Sequence, residues 1–123
     1  MTHSMQQKLT TEFIGTFFLS LTICTAAVYG SAGEYAPFGI ASTLMVMIYA
    51  GGHISGAHYN PAVTVSIYLR GACEKDEVLP YIASQVIGAI SAALIVENLL
   101  FPDAFSPVAA ELGTDAVVAE LLF

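Results

Sequence analysis

Three apolar runs dominate this chain, and short polar connections separate them. The first covers residues 9–29, about 20 positions with Glu12 as the lone charge, which is the length needed to cross a bilayer once as a helix. The second covers 37–51 and follows a turn containing Gly30, Gly33 and Glu34. The third covers 78–100, with Pro80 near its start and Gln85 inside it. Runs of this length leave few options, because a backbone in lipid must satisfy its own hydrogen bonds. Only 11% of the 123 residues are charged, against roughly 25% in a soluble domain, and mean hydropathy is +0.73. The expectation is an all-α membrane protein.

The segment between the second and third runs breaks the pattern. From Gly52 it reads Gly-His-Ile-Ser-Gly-Ala-His-Tyr-Asn-Pro-Ala-Val-Thr. The glycines and polar side chains predict irregular backbone from Gly52 onward. Asn60 is then a good helix N-cap, and Pro61 suits the first helical position, where a missing N–H costs nothing. A helix over 61–70 reaches roughly 15 Å, half of a hydrocarbon core. Residues 52–70 therefore predict a re-entrant loop and half-helix, tolerated in lipid only where protein buries it or water wets it. Residues 101–115 read as a loop, and a fourth apolar run opens over 116–123.

Charge gives an orientation. Lys8, Arg70 and Lys75 are the chain's three basic residues. With three spans and one re-entrant segment, all three fall on one side. The positive-inside rule makes that side, and the N-terminus, cytoplasmic. Three cations cannot form a basic patch, so nucleic acid is not an expected partner. No nucleophile–base set or phosphate-binding glycine loop is evident, so no enzyme activity and no cofactor are expected. Cys24 and Cys73 fall in different elements and predict neither a disulfide nor a metal site. His53 and His58 lie five apart with no nearby thiol or carboxylate in sequence, which argues against a metal centre. Gly15, Gly88 and Ala92 are small residues at helix-contact spacing. Thr11-Glu12-Phe13-Ile14 and Ala119-Glu120-Leu121-Leu122 hint at an internal repeat of the kind that builds many channels.

The run His53 to Thr64 closely resembles the first Asn-Pro-Ala loop of the major intrinsic protein family, the aquaporins and glycerol facilitators. The likeness extends over about 11–100. It implies an aquaporin-like first repeat, with Asn60, Pro61 and Ala62 as the motif and Asn60 as the amide that meets passing water. It implies that backbone carbonyls of Gly56, Ala57 and His58 line the pore as acceptors. Glu12 and Gln85 would be structural supports of the loop. Ile40 and Leu44 would be pore-wall residues. Ile40 stands where the family often has Phe, Trp or His, and an aliphatic residue there implies a wider filter suited to glycerol-like solutes.

The resemblance implies a passive channel for water, glycerol or another small neutral solute in the plasma membrane, tetrameric when complete. A second Asn-Pro-Ala and its following arginine do not occur in these 123 residues, so a fragment of a roughly twice-longer channel is expected. The alternative is a non-conducting membrane scaffold subunit that assembles through its small-residue faces.

Overall fold

The computed structural model describes residues 2–103; the expected loop over 101–115 lies mostly, and the fourth run over 116–123 wholly, outside the described residues. Within them the chain is helical, with three helices long and apolar enough to span a membrane, Met5–Val28, Gly33–Ser55 and Lys75–Leu100, and one short helix.

Helix α1 is Met5–Ile23 and continues through a wider turn at Cys24–Val28. It starts earlier than the apolar run because Ser4 and Gln7 form a capping box. The Ser4 hydroxyl accepts from the Gln7 N–H at 3.2 Å, and the Gln7 side chain accepts from the Ser4 N–H at 2.9 Å. Helix α2 is Ala36–Ser55. The irregular backbone expected from Gly52 begins only at Gly56, whose φ of 89° ends the helix. Gly51 and Gly52 stay helical. At Gly51 a side chain is excluded by packing, since a Cβ there would collide with the Tyr59 hydroxyl.

Helix α3 is Pro61–Leu69 and helix α4 is Lys75–Ile95, extended by a wide turn at Val96–Leu100. Helix α4 also begins before the apolar run. Asp76 and Glu77 occupy its first turn, where carboxylates favour the helix N-terminus. Pro80, in the second turn, gives up its own hydrogen bond to the Asp76 carbonyl. At their far ends α1 and α4 close on each other through a parallel stack of Tyr29 and Phe101, ring centres 4.6 Å apart.

Helices α1 and α4 run parallel in a fixed register. Lys8 pairs with Glu77, the Ser84 hydroxyl donates to the Leu9 carbonyl at 2.6 Å, and Gly88 meets the Phe13 backbone. A Cβ on Gly88 would fall 2.7 Å from the Phe13 carbonyl oxygen, so close approach requires glycine there.

The distribution of polarity is inverted relative to a soluble bundle. Glu12, Thr16, Ser55, His58, Thr64 and Gln85 are buried, while Phe38, Tyr49, Leu69, Leu79 and Leu99 are exposed. Apolar side chains outside and a hydrogen-bonded polar centre inside suit a lipid solvent.

Candidate functional site

The polar centre is built on Glu12, which has no exposed surface. Its Oε1 accepts from the Ser55 hydroxyl at 2.6 Å and the His58 N–H at 3.0 Å. Its Oε2 accepts from the Tyr59 N–H at 2.6 Å and the Gln85 amide at 2.8 Å. One carboxylate thus grips two successive backbone amides of the loop and ties them to α2 and α4. Glu12 is two turns into α1 and Gln85 nearly three turns into α4, about 10 and 15 Å along each axis. The loop therefore packs at a level well inside the two apolar helices rather than at their ends.

Thr64 is the second hub. Its hydroxyl donates to the Asn60 carbonyl at 3.2 Å, and the Gln85 amide donates to it at 2.9 Å. The His58 Nδ1 lies 3.1 Å away. A hydroxyl has one proton to give, so with that proton on the Asn60 carbonyl the contact is made by the His58 tautomer carrying its proton on Nδ1. His58 is consequently a buried brace, packed 5.0 Å from the Tyr81 ring. Tyr81 in turn donates to the Ser55 carbonyl at 2.8 Å, capping the last turn of α2.

Tyr59 locks the loop in depth. Its ring is 2% exposed and fills the space left by Gly15 on α1 and Gly51 on α2, and its hydroxyl donates to the Met47 carbonyl at 2.7 Å. Its φ of 52°, like the 53° of Ala57, lies in the left-handed region that side-chain-bearing residues avoid. The Tyr59 amide is held in that conformation by Glu12, and the Ala57 amide by the Ser55 hydroxyl at 3.1 Å.

This backbone route leaves polar groups open. Among the described residues, no donor reaches the carbonyl oxygens of Gly56, Ala57, His58 or Tyr59. Asn60 caps α3 through its side-chain oxygen, which accepts from the Ala62 and Val63 N–H groups at 2.7 and 3.4 Å. That fixes the amide orientation, and the NH2 group has no partner among the described residues. A row of acceptors is thus followed by one oriented donor at the positive end of a nine-residue helix.

The structure joins Ala57, His58, Asn60 and Ala62 to Glu12 and Gln85 in one network through Ser55 and Thr64, with Gly56 and Pro61 adjoining it along the chain. Ile40 and Leu44 stand apart, partly exposed on α2. Leu44 is about 18 Å and Ile40 about 24 Å along that helix from Gly56. His53 and His58 do not converge: His53 is exposed and its ring meets His3 instead. Sequence reasoning passed over Ser55, Thr64 and Tyr81 as site members, and the side chain, though not the carbonyl, of Tyr59. Only Gly15 and Gly51 signalled the Tyr59 slot, and they signal it only once the helices are paired.

A short helix capped by asparagine and packed against an apolar span, with the loop before it held by a buried carboxylate, defines an integral membrane protein with a re-entrant polar loop. The chain belongs to the major intrinsic protein family, whose family model matches residues 1–122. It is similar to aquaporin Z of Photorhabdus laumondii, 44% identical over 101 residues, covering 75% of this chain and 43% of that protein. It is similar to aquaporin NIP1-1 of Arabidopsis thaliana, 45% identical over 101 residues, covering 77% of this chain and 34% of that protein. It is 39% identical over 101 residues to aquaporin Z of Brucella melitensis, covering 75% of this chain and 43% of that protein. The chain thus spans less than half the length of these relatives.

Proposed function

We propose that this chain supplies the first half of a passive channel for water or small neutral solutes such as glycerol. The observation that carries the reading is the run of four carbonyls that lack donors among the described residues, followed by the Asn60 amide, whose NH2 has no partner there either. A molecule crossing a bilayer loses its hydrogen bonds to water, and an unpaired polar group in an apolar medium costs several kcal/mol. Successive carbonyls replace those bonds one at a time, and Asn60 donates at the narrow centre. The positive end of α3 opposes a cation at the same point. No bond is made or broken, so the mechanism has no catalytic step and uses no cofactor.

Two neighbouring assignments accompany this reading. Ile40 and Leu44 form the wall above the loop, and the aliphatic Ile40 widens the outer constriction in favour of glycerol-sized solutes. The end carrying Lys8, Arg70 and Lys75 is cytoplasmic, in the plasma membrane. A second repeat, absent from these 123 residues, closes the pore, and four complete copies assemble. The similarity to aquaporins, each about twice the present length or more, supports this view.

Osmotic swelling of vesicles carrying the complete channel tests the proposal. Water or glycerol flux above the lipid baseline is expected, and Asn60→Asp is expected to reduce it or to admit cations. Flux at the lipid baseline would favour a scaffold role. Unchanged flux and ion exclusion in Asn60→Asp would remove Asn60 from the pore.

A further inference from the structure

Outside the polar centre, the two histidines at the α1–α2 end form a second chemical grouping. The ring centres of His3 and His53 are 6.2 Å apart, with the planes at 75°. His3 is partly exposed and His53 exposed, and neither imidazole has a hydrogen-bond partner among the described residues. An open cavity of about 720 Å³ adjoins His3, with Thr2, Gln6, Gln7, Thr10 and Ile54, the residue after His53, in its wall. Both backbones are held in place. The Ser4–Gln7 capping box fixes the residue after His3, and the Ser55–Glu12 bond fixes α2 two residues beyond His53.

We infer that His3 and His53 form a surface site for a divalent transition-metal ion such as Zn²⁺. A metal about 2.0–2.1 Å from each of two imidazole nitrogens spaces the ring centres by roughly 5–6 Å. The observed 6.2 Å lies just outside that range, so the rings must turn toward each other to share one ion. Imidazole suits zinc, copper and nickel rather than magnesium or calcium. Among the described residues no group of three His, Cys, Asp or Glu can hold a metal, so water completes the coordination. Structural zinc takes four protein ligands and catalytic zinc three, so two imidazoles with water in the other positions make a weaker, exchangeable surface site. Bridging would tie the residue before α1 to the last turn of α2, three residues ahead of Gly56, where the carbonyl run begins.

The site does not depend on the channel reading, and its test uses the protein alone. Zn²⁺ is titrated calorimetrically into protein purified without a histidine tag. One saturable site is expected. His53→Gln and His3→Gln are each expected to weaken it about a hundredfold, because the second ligand no longer binds intramolecularly. Cys73→Ser is expected to leave it unchanged. Both histidines are at the surface, so the variants keep the fold, checked by helical circular dichroism. Absence of saturable binding, wild-type binding in His53→Gln, or loss of binding in Cys73→Ser would each overturn the assignment.

Discussion

Substituting Glu12 by Gln probes the polar centre while preserving shape. Each carboxylate oxygen accepts two donors, and each pair includes one backbone N–H, from His58 or from Tyr59. A glutamine at position 12 must turn its NH2 toward one of these pairs. Toward Oε1, Ser55 can rotate its hydroxyl and accept, but the His58 N–H then faces a donor. Toward Oε2, Gln85 can flip and present its Oε1, which has no partner in the present arrangement, but the Tyr59 N–H is stranded and the Gln85–Thr64 bond is lost. Either way one backbone bond to a charged acceptor disappears and its donor stays buried. Such a bond contributes about 1.5–3 kcal/mol, and a stranded donor costs about 1–3 kcal/mol. These overlap, so the expected loss is about 2–4 kcal/mol, or roughly 30- to 1,000-fold in a local opening equilibrium. Hydrogen–deuterium exchange at the His58 and Tyr59 amides reads it directly. Glu12→Ala, which strands all four donors, should exchange faster still. Wild-type protection at both amides in Glu12→Gln would refute the reasoning.

Other perturbations test separate parts of the account. Gly88→Ala should weaken the α1–α4 contact by about 1–3 kcal/mol, seen as a lower thermal midpoint, because its Cβ would press on the Phe13 carbonyl. Tyr59→Phe should cost about 1 kcal/mol through the lost bond to Met47, whereas Gly51→Ala should cost more because the whole ring must move. Ser4→Ala should cost about 1 kcal/mol and accelerate amide exchange only in the first turn of α1. Burial pushes the Cys73 thiol upward, and the Glu77 carboxylate beside it adds to the shift. A raised thiol leaves less thiolate at a given pH, so alkylation of Cys73 should need a higher pH than a free thiol. Glu77→Gln should move that profile back down, and an unmoved profile would contradict the assigned cause.

The sequence announced the three spans because lipid demands long apolar runs, and that demand is visible in composition alone. Their starts were less legible. The expectation at residue 9 ignored the Ser4–Gln7 capping box, and the expectation at 78 ignored the acidic first turn before Pro80. The loop was expected to be irregular from Gly52 because glycine is a poor helix former, yet packing against Tyr59 decides Gly51, and α2 continues to Ser55. The Asn60–Pro61 helix start is a local signal and could be read without tertiary knowledge. The Glu12–Ser55–Gln85–Thr64 network spans up to 73 positions in sequence, and no local pattern contains it. The same applies to the pairing of His3 with His53, which a five-residue spacing to His58 disguised.

Central to the channel reading is a short helix whose amide-rich tip meets water deep in the bilayer. Cysteine accessibility in vesicles of the complete channel, with Cys24→Ser and Cys73→Ser as background, addresses this most directly. Ala57→Cys, beside the open carbonyls, should react with a small hydrophilic thiol reagent and lose flux as it does so. Val46→Cys, on the apolar outer face of α2, should stay unreactive. Equal protection of the two positions, with flux untouched, would contradict the account.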